Sequence, residues 1–257
     1  MIEIKNKSSI AKMEEAGRLL SEIFEELSPL ICSGVSTASI NAFVADQLKK
    51  KGLVSSSKGY AGYKYESCIS INDELIHGIP CEARKLKNAD LVKIDICASW
   101  KSYCADMARS FCVGQCTVEA NKLISVAQEA LDCGIAKARE GNYLSDISFA
   151  IQKVVETNGC GVIRDFAGHG IGRRLHEDPE IPNYGKPGRG VILRPGMALA
   201  IEPMISAGDY KVVIMDDGWT VKTADKSLAA HVEDTVIVTQ DEPKILTRRK
   251  SGEMRYL

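Results

Sequence analysis

The sequence predicts an α+β fold made of two similar halves, each with two helices followed by strands. Apolar residues at helical spacing predict one helix that Ser8 or Ser9 caps and a second from about Thr37 to Lys51. Helical patterns return over about 117–138 and after Ser145, and strand patterns follow each pair. We therefore expect one domain over residues 1–257, with pseudo-repeat halves at about 8–114 and 117–240.

Alternating apolar residues predict the strands of the first half. Ser67–Ile71 is expected to form a strand that turns at Asn72-Asp73 and returns through Leu75–His77 as a hairpin. In the strand Leu91–Cys97, Val92, Ile94 and Ile96 face one side of the sheet. The opposite face of that strand carries Lys93, Asp95 and Cys97.

The two halves repeat a set of chemically active residues in the same order. Each half contains His-Gly-Ile, then an acid in an apolar strand, then a second acid on a later strand. An ordered set of three features is harder to obtain by chance than one match, so we infer a duplicated unit whose acids converge. The residues are His77, Asp95 and Asp106 in the first half, and His169, Glu202 and Glu233 in the second.

Overall composition excludes several classes of partner. The 257 residues carry a net charge of -1, with 45% hydrophobic and 26% charged residues. This balance gives no electrostatic case for nucleic acid or an anionic membrane as a main partner. The N-terminus reads as an amphipathic segment and not as a secretion signal, so a cytoplasmic location is expected.

Cysteine spacing argues against a zinc ribbon or a thioredoxin-type site. The nine cysteines include no Cys-x-x-Cys pair. In the cytoplasm they are expected to be reduced, and most of them to be small core side chains.

Buried acids of this kind favour a metal centre. Carboxylates gathered in an apolar setting repel one another unless cations hold them. Four carboxylates and one imidazole are too rich in oxygen for a structural zinc site, but they suit two divalent ions that activate water for hydrolysis. In the glycine-rich stretch 166–179 we expect His169 to bind metal and His176 to transfer protons or donate a hydrogen bond beside it.

Five motifs give the sequence a close resemblance to the type I methionine aminopeptidases of peptidase family M24. They are Cys-Ile-Ser-Ile-Asn at 68–72, His-Gly-Ile-Pro at 77–80, Gly-His-Gly-Ile-Gly at 168–172, Ile-Glu-Pro-Met at 201–204 and Asp-Gly-Trp-Thr-Val-Lys-Thr at 217–223. The resemblance runs from about residue 8 to residue 248 and implies the pseudo-twofold pita-bread fold.

The resemblance also implies the roles of the site residues. Asp106 and Glu233 would bridge two divalent ions, Mn, Fe(II), Co or Zn, with His169 and Glu202 at one ion and Asp95 at the other. Three residues would be catalytic: His77 near the scissile amide nitrogen, His176 at the carbonyl oxygen, and Glu202 taking the proton of the attacking water. A monovalent cation, which the family often holds, is expected near the turn at Asn72. His231 has no counterpart, and we expect it to be structural or exposed.

The same resemblance implies a methionine pocket formed by Tyr60, Tyr63, Cys68 and Trp219, because aromatic walls suit a thioether. The residue before His176 is commonly Phe in the family, and here it is Leu175. Leucine keeps this wall apolar but shortens it, so methionine preference should survive with looser discrimination.

The function that the resemblance implies is removal of the initiator methionine from nascent or newly made chains that have a small second residue. The protein would be a monomer that acts on peptide N-termini, and whether it also contacts the ribosome is left open. The main alternative is a prolidase or Xaa-Pro aminopeptidase of the same fold, although such enzymes usually carry a further N-terminal domain. A non-catalytic peptide-binding module and a two-metal phosphoesterase are more remote, and Arg173 and Arg174 are expected to be a solvated loop face.

Overall fold

A computed structural model describes residues 2–248 and confirms the α+β class. Four α-helices come in two pairs, and each pair precedes a group of strands. The helices are α1 (Lys7–Leu27), α2 (Thr37–Lys50), α3 (Val118–Ile135) and α4 (Leu144–Thr157). Within the described residues, no helix is both long and apolar enough to cross a bilayer.

Fifteen strands form one large sheet and two small ones within this part of the chain. The strands are β1 (Val54–Ser55), β2 (Cys68–Ile71), β3 (Glu74–Ile76), β4 (Leu91–Trp100), β5 (Tyr103–Cys112), β6 (Gly161–Val162), β7 (Ala167–Gly170), β8 (Glu177–Pro182), β9 (Ala198–Ile201), β10 (Met204–Ser206), β11 (Val212–Ile214), β12 (Val221–Thr223), β13 (Ala229–His231), β14 (Glu233–Ile237) and β15 (Lys244–Ile245).

The large sheet is central and joins the two halves. Its nine strands run in the order β1-β4-β5-β14-β9-β7-β8, with β2 added to β4 and β15 added to β14. The small sheets have the orders β13-β10-β6 and β11-β12-β3. The pairing of β5 with β14 is antiparallel and places strands of the two halves side by side at the middle of the sheet.

Each helix pair covers its own half of the large sheet. Leu20 and Phe24 of α1 share one apolar cluster with Ile94 of β4 and Met107 of β5. A second cluster contains residues of α3 and α4 together with β9 and β14, including Leu131, Ile151, Leu199 and Val236. This arrangement repeats the order of helices and strands, while common ancestry of the halves stays a prediction.

Two predicted helix starts were wrong, because other residues supply the caps. The side chain of Asn6 accepts a hydrogen bond from the Ser9 backbone at 2.9 Å, so α1 begins earlier than predicted. Helix α4 starts at Leu144 instead of after Ser145, and the Asp146 carboxylate accepts from the Tyr143 backbone at 2.8 Å. Caps depend on a single local contact, which is why helix starts are poorly set by periodicity.

The predicted hairpin is present as a turn, but its strands pair with other partners. Asn72 adopts a left-handed conformation with φ 56°, as expected at a tight turn. Strand β2 pairs with β4, whereas β3 pairs with β12 in a separate small sheet. The chain therefore changes sheets at Asn72, and this turn links the sheet with Cys68 to the segment with His77.

One expectation about cysteines was wrong. Cys112 at the end of β5 and Cys116 before α3 form a disulfide, with sequence separation 4. The other seven cysteines are free, as expected.

A buried ion pair fastens the two halves at the β5–β14 junction. Arg109 donates from Nη2 to Asp234 Oδ1 at 2.6 Å and from Nη1 to the Glu233 carbonyl at 2.5 Å, and both side chains are buried. Burial alone would raise the pKa of Asp234, but the charges of Arg109 and Arg248 hold it below its usual value. The guanidinium thus fixes the backbone that carries Glu233.

We predict that Arg109→Met lowers the free energy of unfolding by about 2–3 kcal/mol, because it leaves a buried carboxylate with one cation fewer. Urea denaturation measures this loss. Arg139→Met is the matched control, since the Arg139–Glu242 pair is exposed and should contribute less than about 1 kcal/mol. Equal losses in the two variants would contradict the assignment.

Candidate functional site

Strand register places the predicted acids in neighbouring rows on one face of the large sheet. In the first row, Asp95 of β4 lies opposite Ala108 of β5, and Ala108 lies opposite Glu233 of β14. Cys68 of β2 extends this row on the other side of Asp95. Side chains in register on adjacent strands share a face, so a small alanine separates two acids that point the same way.

The second row starts two residues further along β4. Cys97 lies opposite Asp106, whose backbone NH donates to Thr235 Oγ1 at 2.8 Å. Thr235 in turn lies opposite Ala200 of β9, and Ala200 lies opposite His169 of β7. Five strands, β4, β5, β14, β9 and β7, therefore contribute to a single row.

Glu202 follows directly after β9 and completes the cluster. Its Oε1 lies 3.6 Å from His169 Nε2, and Asp106 Oδ2 lies 3.8 Å from the same nitrogen. The structure thus brings together all five of the predicted ligand residues.

The side chain of His169 is held in an orientation suited to metal binding. Its Nδ1 lies 2.9 Å from the Gly170 carbonyl oxygen, which can only accept a hydrogen bond. Nδ1 therefore carries the proton, and Nε2 has a free lone pair that faces the carboxylates. Burial lowers the pKa of His169 to about 4, so the ring is neutral near pH 7.

Burial and mutual repulsion raise the pKa of every carboxyl group in the cluster. Burial and the neighbouring Asp106 raise the pKa of Asp95 to about 7. The pKa of Asp106 rises to about 6, mainly through burial and also through Glu202. The pKa values of Glu202 and Glu233 are raised well above their ordinary value by burial and by the other acids. Without cations, the ionised form of this cluster would destabilise the folded protein.

Orphaned oxygen atoms show that the cluster suits a metal. Asp106 Oδ1 and Glu233 Oε1 are buried and have no hydrogen-bond partner among residues 2–248. Buried carboxylate oxygens rarely stay unpaired in proteins. Two sets of three potential ligand atoms, each within 4.8 Å of one another, share Asp106: one adds Asp95 and Cys97, and the other adds His169 and Glu233. Oxygen and imidazole ligands fit divalent transition ions.

An adjoining cavity of about 180 Å³ contains the predicted substrate residues together with the acids. Its lining includes aromatic and apolar side chains as well as the acids. The predicted members that line it are Tyr60, Tyr63, Cys68, His77, Leu175, His176 and Trp219, and all of them are present.

Aromatic contacts fix the geometry of this wall. The rings of Tyr63 and Trp219 meet edge to face with centroids 4.9 Å apart, and the His77 and Trp219 rings lie 6.2 Å apart. His77 has φ 59°, a conformation that side-chain-bearing residues rarely adopt and that often marks a functional site. Leu175 is buried and forms part of the apolar wall.

His176 lines the cavity and is hydrogen-bonded to Tyr60. Its Nδ1 lies 2.7 Å from the Tyr60 hydroxyl, and its ring lies 4.3 Å from the His169 ring. Burial lowers the pKa of His176. Because Tyr60 engages Nδ1, Nε2 is the ring nitrogen that can contact a ligand.

Two residues near the acids were missed by the sequence analysis. His231 is 2% exposed, and its Nε2 lies 3.3 Å from Glu202 Oε2, so the expectation that it could be exposed was wrong. Cys97 Sγ lies 3.5 Å from Asp95 Oδ1. Cys97 lies two residues from Asp95 on β4, a spacing that places both side chains on the same face, whereas His231 ends β13 of a small sheet just before Glu233 begins β14.

Comparison with known proteins agrees with this geometry. The model of metallopeptidase family M24 matches residues 11–240. A methionine aminopeptidase of Clostridium acetobutylicum is 47% identical over 96% of this chain and 99% of its own length. Methionine aminopeptidase 1 of Bacillus subtilis is 43% identical over 96% of this chain and its full length.

Solved structures give the same result. A crystal structure of methionine aminopeptidase from Thermotoga maritima has a TM-score of 0.95 and 42% identity, with coverage of 97% of this chain and 100% of that one. A prolidase from Pyrococcus furiosus has a TM-score of 0.78 at 23% identity, and this chain covers 66% of it, so it shares the fold alone. These likenesses confirm the pita-bread fold. The chain belongs to the methionine aminopeptidases of metallopeptidase family M24.

Proposed function

We propose that this protein hydrolyses the N-terminal methionine from peptides with a small second residue, using divalent ions held by the five clustered ligand residues. The observation that carries the proposal is the position of the acid cluster beside an aromatic-walled cavity. A binding module would not need four clustered acids, two of them buried, whose mutual repulsion must be offset.

Asp106 and Glu233 are the proposed bridging ligands. Asp106 belongs to two overlapping sets of potential ligand atoms, and Glu233 belongs to one of these and to a third set with Glu202 and His231. A residue shared by two sets is suited to contact two ions. By the family resemblance, His169 and Glu202 would help to hold one ion and Asp95 the other. Mn, Fe(II), Co and Zn all accept these donors.

Divalent ions at such a centre supply Lewis acidity and an activated water for attack on a peptide carbonyl. Glu202 is the proposed acceptor of the water proton. Its Oε1 lies 3.6 Å from His169 Nε2, so the carboxylate lies beside the other proposed ligand residues, where it could accept a proton from bound water. His231 Nε2 lies 3.3 Å from Glu202 Oε2 and is buried without a hydrogen-bond partner among residues 2–248.

His77 and His176 are assigned to the peptide itself. Burial lowers the pKa of His77 to about 4, so it is neutral and can donate or accept one hydrogen bond at the scissile nitrogen. The Tyr60 contact at Nδ1 orients His176, which we assign to the carbonyl oxygen as charge develops there.

The cavity wall supports selection of methionine. Tyr63, Trp219, Cys68 and Leu175 present aromatic and apolar surface, and sulfur–ring contacts favour a thioether over an alkyl chain of similar size. Neither Arg173 nor Arg174 offers positive charge for a phosphate substrate in this cavity, because both are exposed and neither lines it.

The resemblance to methionine aminopeptidases also suggests which chains are substrates and where the enzyme meets them. The substrates would be N-termini of nascent or newly made proteins, met by a monomer in the cytoplasm and near the ribosome. His176 is exposed and lines the cavity, which supports access of a chain end.

The first prediction concerns the substrate. After removal of metal by a chelator and reloading with Mn, Fe(II) or Co, the enzyme should cleave Met-Ala-Ser but neither Ala-Pro-Ser nor para-nitrophenyl phosphate. Asp106→Asn should lower kcat at least about 100-fold, because the shared ligand is lost. Asp216→Asn, at an exposed aspartate, is the control. Cleavage of the prolyl peptide instead would replace methionine removal by prolidase activity.

The second prediction concerns Leu175. Leu175→Phe adds a ring to the wall and should raise the ratio of kcat/KM for methionine over norleucine roughly 2- to 10-fold, the range expected of one sulfur–ring contact. Competition between Met- and norleucine-terminated peptides measures this ratio. Ile214→Phe, on an exposed strand, should leave the ratio unchanged. A wild-type enzyme without any preference for methionine would contradict the pocket assignment.

The third prediction concerns pH. The folded-state pKa values of Asp95, about 7, and Asp106, about 6, exceed the unfolded value of about 3.9. The metal-free fold therefore holds extra protons, and its stability falls as pH rises from about 4 to about 7. Metal must displace these protons below about pH 7. Mn should therefore raise Tm more at about pH 7.5 than at about pH 5.5, as calorimetry would show, and an equal rise at both pH values would argue against metal binding at these acids.

A further inference from the structure

Lys93 is a buried lysine whose amino group ends at the Asn72 turn. It is 2% exposed and lies near the start of β4, two residues before Asp95. Nζ donates to the Asn72 carbonyl at 2.8 Å and to the Leu91 carbonyl at 3.3 Å. Lysine is almost never this deeply buried unless partners hold its amino group.

Both of these carbonyl oxygens are fully used. The Asn72 oxygen also accepts from the Ala229 backbone at 3.0 Å, and the Leu91 oxygen also accepts from the Asn72 backbone at 2.8 Å. A carbonyl oxygen has two lone pairs, so each has reached its ordinary capacity. A monovalent cation at this turn would have to displace the Lys93 amino group, and the residues present do not fit such an ion.

We propose that the Lys93 amino group permanently occupies the position at the Asn72 turn where a monovalent cation was expected, so that this enzyme needs neither Na⁺ nor K⁺ there. A covalently attached group cannot dissociate, and its occupancy does not depend on salt. The inference rests on this geometry and does not depend on the proposed peptidase activity.

The surrounding charges suit a positive occupant. Asp73, Glu74 and Asp90 act on Lys93 as negative groups, and Arg84 is the opposing positive group. Burial lowers the pKa of Lys93 to about 7, while Glu74 and Asp73 raise it. The two carbonyl contacts need only N–H donors, so the amino group fills the position in either protonation state.

The contact ties together three segments that carry site residues. Lys93 belongs to the strand of Asp95, and the Asn72 turn connects the strand of Cys68 to the segment of His77. Through the shared Asn72 oxygen the turn is also joined to β13, which ends at His231. Lys93 is therefore a positioning residue for the site.

The test compares thermal unfolding of the Mn-loaded protein in NaCl, KCl and tetramethylammonium chloride at equal ionic strength. The wild-type Tm should be the same in all three salts, because the position is already filled. A saturable rise with Na⁺ or K⁺ in the wild-type protein would overturn the proposal, since the turn would then bind an ion beside Lys93.

Lys93→Ala empties the position and should make Tm depend on the ion. Na⁺ or K⁺ should raise the Tm of this variant by about 3–6 °C at a tenfold excess over the dissociation constant, and tetramethylammonium should not. Lys93→Ser opens the same space and offers a hydroxyl oxygen, and it serves if the alanine variant fails to fold.

Lys222→Ala is the matched control. Lys222 lies by the same turn, 3.4 Å from Asp73 Oδ1, but its side chain is 28% exposed. Its loss should create no dependence on the ion. If a folded Lys93 variant shows the same Tm in all three salts, the emptied position takes up no ion and the proposal is wrong. If neither variant folds, the salt series of the wild-type protein decides, because a saturable rise with Na⁺ or K⁺ there overturns the proposal.

Discussion

Repulsion among buried carboxylates is the constraint on which the rest of this structure depends. Asp95, Asp106 and Glu233 share one face of the large sheet, and Glu202 follows directly after β9. The pKa values of all four are raised, and two of their oxygens have no partner within residues 2–248. A fold keeps such a cluster only where divalent ions offset the desolvation and the repulsion. The repulsion that destabilises the metal-free fold is relieved when metal binds, so it contributes to the affinity for metal.

The central sheet holds these charges in place from both halves of the chain. Strands β4 and β5 bring two acids, and β14 and the end of β9 bring the other two. The halves meet at the β5–β14 pair, where Arg109 and Asp234 form a buried ion pair next to Glu233. In the Arg109–Asp234 pair the two charges neutralise each other, and this pair lies beside Glu233 of the acid cluster. The ion pair therefore holds the backbone next to the carboxylates that repel one another.

Specificity is arranged separately from the acids. The aromatic wall comes from the loop with Tyr60 and Tyr63 and from Trp219, and these segments lie outside the large sheet. The Asn72 turn connects the two regions, because β2 belongs to the large sheet and β3 to a small one. A buried amino group at this turn fixes the wall relative to Asp95.

The sequence by itself determined the α+β class, the paired helices and the identity of the clustered residues. Those inferences rest on periodicity and on acids in apolar strands, which are local features. Only the tertiary structure decided that β3 leaves the sheet of β2, that His231 contacts Glu202, that Cys112 pairs with Cys116 and that Lys93 fills the Asn72 turn. The physical reason is that each of these depends on which distant backbone or side chain comes within hydrogen-bonding or bonding distance, and periodicity contains no information on distance.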